Sequence, residues 1–247
     1  MFWTNQKSTM KVVVPKDYDS GKPKSILPII DEEKEKVKKE DLRTFEVYSI
    51  PGDNNSTKYK VSISILYGTE SVRHTIQWTK DLNQLFTGLN LTNNQNGKVA
   101  ILMQLVQGTA KTAWQDAEAN ACAHRRNTAA KEAYDAEAGD NGAKQRAYDD
   151  VINNNALETY RNDATWNIGI QAIIKNVCPP KVLNKVKRDL RRNIRKPLGM
   201  SVREYFTRFL RINHDELPFL PPFGNNQHFQ NDEVNNIILQ AVPKSWT

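Results

Sequence analysis

Pro179-Pro180-Lys181-Val182-Leu183-Asn184-Lys185-Val186-Lys187-Arg188-Asp189-Leu190-Arg191-Arg192-Asn193-Ile194-Arg195-Lys196-Pro197 divides this chain. Prolines bound it at both ends, where a helix starts or breaks. Between them Val182, Leu183, Val186, Leu190 and Ile194 recur at helical spacing on one side. Lys181, Lys185, Arg188 and Arg192 share another side, flanked by Lys187, Arg191 and Arg195. Residues 181–196 hold eight Lys/Arg against one acid, Asp189. The whole chain carries +7 from 35 bases and 28 acids, so outside this helix the charges balance. Helices usually mix signs for i,i+4 support, and this one largely does not. The face reads either as a solvated amphipathic surface or as a contact for an anionic polymer or acidic subunit.

Downstream, Ser201 is placed to cap a helix with Glu204 at the capping-box position. Val202, Tyr205, Phe206, Phe209, Leu210 and Ile212 give that helix a wide apolar face, expected to pack against the apolar side of the basic helix. Leu217-Pro218-Phe219-Leu220-Pro221-Pro222-Phe223 reads as a proline-stiffened apolar loop. Asp232 is expected to cap a last short helix bearing Val234, Ile237, Ile238 and Ala241, with Pro243 ending it and Trp246 either folding back or starting another element.

Upstream of the dividing prolines, two period-2 runs, Phe45/Val47 and Tyr59/Val61/Ile63/Ile65, flank Pro51-Gly52-Asp53-Asn54-Asn55-Ser56, which predicts a β-hairpin over 45–66. A helix over about 71–86 follows, with Thr69 as candidate N-cap and Val72, Ile76, Leu82, Leu85 and Phe86 as its stripe. A second is expected over 98–107, stopping at Gly108, and a third from Thr109. The Ala-rich segment 117–147 reads as a helical hairpin broken at Gly139-Asp140-Asn141-Gly142. Leu157, Tyr160, Trp166, Ile170, Ile173, Ile174 and Val177 then form one helix, despite Gly169, up to Cys178-Pro179-Pro180. Residues 1–44 carry Pro15, Pro23, Pro28 and Gly21 with few aromatics and read as a flexible arm. The expected layout is an arm (1–44), a helical domain with the hairpin (45–178), and a second helical domain (179–247).

At 247 residues and 38% hydrophobic content, the chain has room for helical cores under a polar surface. Its two cysteines, Cys122 and Cys178, supply neither a zinc site nor a disulfide scaffold and read as reduced thiols of a cytoplasmic protein. No run approaches the apolar length of a membrane span, and the N-terminus lacks a signal-peptide core. Asp19-Ser20-Gly21 matches the aspartic-protease triplet, but Tyr18, Lys22 and Pro23 around it make a turn rather than the apolar strand that chemistry requires. The four histidines are scattered, and no phosphate loop or nucleophile elbow is present in the sequence. No catalytic, metal or cofactor-binding residue is therefore assigned.

Taken in order, several runs resemble the capsid region of Gag polyproteins from gypsy-class long-terminal-repeat retrotransposons of the diatom and oomycete type. They are Gly68-Thr69; Trp78-Thr79-Lys80-Asp81-Leu82-Asn83; Gly88-Leu89-Asn90-Leu91-Thr92; and the helix pair over 102–114. In the second half they are Arg191-Arg192-Asn193-Ile194-Arg195-Lys196-Pro197-Leu198-Gly199-Met200-Ser201-Val202-Arg203-Glu204-Tyr205, the loop 217–223, Asp232-Glu233-Val234, and Ala241-Val242-Pro243-Lys244-Ser245-Trp246. They cover 60–115 and 179–246; the first 44 residues and the Ala-rich insert have no counterpart.

The resemblance implies a mainly α, two-lobed capsid fold: an N-terminal assembly lobe, and a C-terminal lobe with Tyr205, Phe206, Phe209 and Trp246 in its core. It implies a non-enzymatic structural protein that forms homo-oligomeric shells around RNA, with no small-molecule substrate. Lys181, Lys185, Arg188, Arg191, Arg192 and Arg195 would contact nucleic acid or a neighbouring subunit. The alternative is a helical module that binds nucleic acid non-specifically through 181–196. The family's zinc knuckle, Cys-x2-Cys-x4-His-x4-Cys, does not occur in the sequence, and the resemblance implies a longer polyprotein continuing past Thr247.

Overall fold

The computed structural model describes residues 41–53, 55–178, 180–192 and 200–241. Over the described residues the chain is mainly helical and opens on one two-stranded antiparallel hairpin. Strands β1 (Leu42–Tyr48) and β2 (Lys58–Ser64) pair in the register Leu42↔Ser64, Phe45↔Val61 and Val47↔Tyr59. The alternation leaves Val47 and Ile63 buried. The strand starts at Leu42, so the last residues assigned to the flexible arm belong to the sheet; residues 1–40 lie outside the described part. A hairpin this small needs a support. Helix α1 (Val72–Gly88) provides it, with Trp78 Nε1–H donating to the Ser64 carbonyl at 2.7 Å.

Ser71, not Thr69, caps α1, its side chain accepting from His74 N–H. Thr69 is displaced because the Glu70 carboxylate turns back to accept from the Tyr67, Gly68 and Thr69 N–H groups. Helix α2 (Gln95–Leu105) begins earlier than the apolar spacing suggests, because Asn94 accepts from Gly97 N–H as its cap. Val106 then leaves the helix to bridge Leu66 in parallel. Gly108, expected to end α2, instead opens α3 (Gly108–Ala136) at φ +54°, where a Cβ would meet the Tyr67 carbonyl at 2.8 Å. The chain breaks at the Gly139–Gly142 region and returns as α4 (Asn141–Asn154), capped by Asp140 and packed along α3 with no fully buried residue of its own.

The helix expected from Leu157 is split. Leu157–Tyr160 forms a 3-10 turn, and α5 (Asp163–Val177) starts only after Asn162, which makes a reciprocal capping box with Thr165. Beyond Cys178 come α6 (Val182–Arg192), α7 (Val202–Arg211), a π-helical turn (Ile212–Glu216), a 3-10 turn (Leu217–Phe219), another (Asn225–Gln227) and α8 (Asn231–Ala241). Asp232 therefore lies in the first turn of α8 rather than before it. Ser201 caps α7 through Glu204 N–H, but the Glu204 carboxylate pairs with Arg208 at 2.6 Å, leaving the capping box half made.

Among the described residues two large apolar cores result, beside a small cluster of Met200, Tyr205 and Ala241. The first gathers Val47, Ile63, Leu66, Trp78, Leu82, Phe86, Leu102, Leu105, Trp114, Trp166, Ile170 and Ile173 from the hairpin and α1–α5. The second gathers Leu183, Val186, Leu190, Phe209, Ile212, Leu217, Leu220, Phe229, Val234 and Ile237, and it also takes Val72 and Ile76 from the start of α1. Arg73 beside them reaches the buried Glu216 carboxylate at 3.0 Å, so α1 is stitched to both cores. Among the described residues no helix is long and apolar enough to cross a membrane.

Candidate nucleic-acid or subunit interface

Helix α6 separates its two chemistries by angular position. Val182, Leu183, Val186 and Leu190 are buried in the second core, one row of an ideal amphipathic helix. Lys181, Asn184, Lys185 and Arg188 are exposed on the opposite side. Lys181, Lys185 and Arg188 fall at i, i+4 and i+7 and make no ion pair among the described residues. The first turn of α6 contains no acid, so Lys181 and Lys185 stand uncompensated at the positive end of the helix dipole.

The flanking bases behave differently. Lys187 and Arg191 sit over the Phe229 ring, each 5.1 Å from its centroid, and Arg191 Nη2 pairs with Glu233 Oε1 at 2.7 Å. Burial, and then the neighbouring Arg191 charge, push the Lys187 ammonium below its ordinary pKa, with Glu233 opposing. These two residues clamp α8 to α6. Nothing in the charge count distinguishes them from Lys185 or Arg188. The acid run Asp232-Glu233 was the available signal of a basic partner, and Glu233 is the residue that has one. The side chain of Arg192 and all of Arg195 lie outside the described residues, as does Trp246.

Of the aromatic face on α7, Tyr205 and Phe209 are wholly buried but belong to different clusters. Phe209 stacks on Phe229 at 6.2 Å within the second core, whereas Tyr205 packs with Met200 and Ala241. Phe206 points outward, 37% exposed, because the next position on a helix turns by about 100° from the buried Tyr205. Leu239 on α8 is 57% exposed and Ile168 on α5 46%. The Tyr205 hydroxyl is buried with no hydrogen-bond partner among the described residues, and burial raises its pKa. Tyr205→Phe is accordingly expected to keep or raise stability by about 1 kcal/mol, read as an unchanged or higher urea midpoint. A clear loss would mean that the hydroxyl is hydrogen-bonded in solution.

Cys122 and Cys178 are free thiols, each pushed up to about 11 chiefly by burial. Neither is a nucleophile at neutral pH. Among the described residues no group of three His, Cys, Asp or Glu is placed to hold a metal ion. Compared with protein-family models, with curated proteins and with solved structures, the chain gives no match.

Proposed function

We propose that this chain is a structural, Gag-like subunit that assembles with copies of itself into a capsid-like shell around RNA. The observation that carries the reading is where the Gag-like runs fall in the second half of the chain. Ser201-Val202-Arg203-Glu204-Tyr205 opens α7. The run 217–223 is the loop that puts Leu217 and Leu220 into the second core. Asp232-Glu233-Val234 opens α8 and delivers Glu233 to Arg191. The resemblance thus occupies the junctions that build one helical unit, rather than scattered surface positions. Exposed Phe206, Leu239 and Ile168 offer apolar contacts, and a charge-balanced body does not oppose close packing of copies.

Purified protein is expected to form particles or high-order oligomers as concentration and salt rise, seen by size-exclusion chromatography and electron microscopy. A strict monomer at high concentration across all salts overturns the reading. A second reading, binding of nucleic acid without assembly, is favoured by the exposed Lys181/Lys185/Arg188 row. Neutralising the row would then abolish binding in a protein that never assembles.

A further inference from the structure

Beside the exposed row of α6, the Pro221-Pro222-Phe223 loop closes a cleft of about 540 Å³ against the end of α5 and the start of α6. That volume is in the range of small-molecule sites. Lys175 from α5 and Lys181 ahead of α6 line it with two basic residues, Asn184 adds an amide-bearing one, and Pro222 and Phe223 add an apolar wall; among the described residues no acidic residue lines it.

The backbone marks the same place. Three non-glycine residues among those described have a left-handed φ: Asn90 (55°), Lys181 (57°) and Phe223 (67°). Asparagine tolerates that region, whereas lysine and phenylalanine rarely adopt it. Both costly instances line this one cleft, and strain of this kind concentrates at binding sites.

The lining selects a ligand chemistry. Two cations ask for an anionic group, and the Pro222/Phe223 wall asks for a flat apolar one within a few ångströms of it. The Asn184 amide both donates and accepts, as needed to meet a base edge. An inorganic polyphosphate would use the cations and waste the wall. A nucleotide uses all three. The exposed row continues from Lys181 through Lys185 to Arg188, about 10 Å of helix at 1.5 Å per residue, so phosphates beyond the cleft also meet cations.

We propose that this cleft binds one nucleotide unit, its phosphate on Lys175 and Lys181 and its base against Phe223, with a single strand running on along α6. The inference deepens the RNA half of the proposed function and rests on that half. The same chemistry is offered by a free mononucleotide, which the experiment separates.

The full chain, kept dilute and unassembled, is titrated into a labelled single-stranded oligouridylate between about 50 and about 200 mM salt, following anisotropy. Lys175→Gln with Lys181→Asn keeps a residue suited to the left-handed φ. It is expected to reduce the slope of log affinity against log salt by roughly 0.7, the contribution of one phosphate contact on a single strand. Phe223→Asn, also tolerant of that φ, is expected to weaken binding about tenfold with the slope unchanged, as for loss of one stacked base. Phe223→Leu serves the same purpose should the asparagine lower the melting temperature. Lys60→Gln with Lys131→Gln, elsewhere on the surface, is the control and leaves both readings alone.

Displacement of the strand by uridine monophosphate identifies a free nucleotide as sufficient; binding of the strand only identifies single-stranded RNA. Equal losses in the control pair, a folded Phe223 variant with unchanged affinity, or displacement by inorganic tripolyphosphate as effective as by the nucleotide each overturn the proposal. Particle formation without nucleic acid is scored separately, so a failed cleft leaves the assembly reading standing, and failed assembly leaves the cleft standing.

Discussion

Asn213→Ala is expected to cost about 3 kcal/mol of stability, because it orphans two buried backbone groups at once. Asn213 is fully buried in the π-helical turn after α7. Its Oδ1 accepts from Phe229 N–H at 2.6 Å and its Nδ2 donates to the Phe229 carbonyl at 3.2 Å. The side chain thus does for Phe229 what a paired strand would do. Each backbone group left unpaired in a dry interior costs about 1–3 kcal/mol. Phe229 is also the ring on which Phe209 stacks and which Lys187 and Arg191 cover, so loosening it loosens the contact of α6 with α8. In a chain of this size the melting temperature should fall by roughly 6–12 °C.

Asn213→Asp gives a sharper test. The carboxylate still accepts from the Phe229 N–H, but it cannot donate to the carbonyl unless protonated. Burial raises its pKa above the unfolded value near about 3.9. A raised folded pKa means the stabilising, protonated form is fully present below the unfolded pKa and lost as pH rises through the folded one. The Asp variant should therefore approach the parent near pH 4 and fall well below it at pH 7, in urea midpoints measured against the parent at each pH. A pH-independent deficit would show that the amide pairing is not what matters.

This feature was not legible in the sequence. Asn213 ends an aromatic stripe, in the position of an ordinary helix-terminating polar residue, and its partner lies sixteen residues on, past a proline-rich loop. Sequence spacing reports which residues share a face of one element. It does not report a side chain paired with a distant backbone. What spacing does report came through: the hairpin of alternating Val47 and Ile63, the buried row Val182/Leu183/Val186/Leu190, and the break between α3 and α4 at the Gly139-to-Gly142 turn.

The errors have local causes. Thr69 lost the α1 cap to Ser71 because Glu70 satisfied the preceding N–H groups, and α2 gained a turn because Asn94 caps as well as any residue inside the apolar run. At the candidate interface, eight bases looked alike by composition. Geometry separates Lys181, Lys185 and Arg188, which face outward, from Lys187 and Arg191, which hold Phe229 and Glu233. The cleft was invisible because its walls come from α5, the start of α6 and a loop some forty residues later.

Gly169→Ala is the second large effect, and its size depends on a partner that sequence reading placed in another helix without a contact. A glycine in the middle of α5 weakens the helix in isolation by about 1 kcal/mol relative to alanine. On propensity alone, alanine should stabilise. The structure reverses the sign. A Cβ at Gly169 would lie 2.5 Å from Trp114 Nε1 and 2.7 Å from Trp114 Cδ1. Trp114 is buried, sits 6.0 Å from the Trp166 ring, and has nowhere to move without opening the α3–α5 contact. Overpacking of a core of this kind costs about 1–3 kcal/mol. Gly169→Ala should therefore lower the melting temperature by roughly 2–12 °C.

The mechanism is tested by a second substitution. Trp114→Phe removes the Nε1 edge that blocks the Cβ, and with it a buried N–H that has no partner among the described residues. On its own it leaves a void and costs about 1–2 kcal/mol. Combined with Gly169→Ala it should cost no more than it does alone, because the new methyl fills the space the indole vacated and α5 regains alanine's helix propensity. The double-mutant cycle should then show a favourable coupling of about 1–3 kcal/mol, measured from urea unfolding of all four proteins. Additive losses would mean that Gly169 is not held by Trp114, and that the close approach of α3 and α5 at this point is not what the glycine is for.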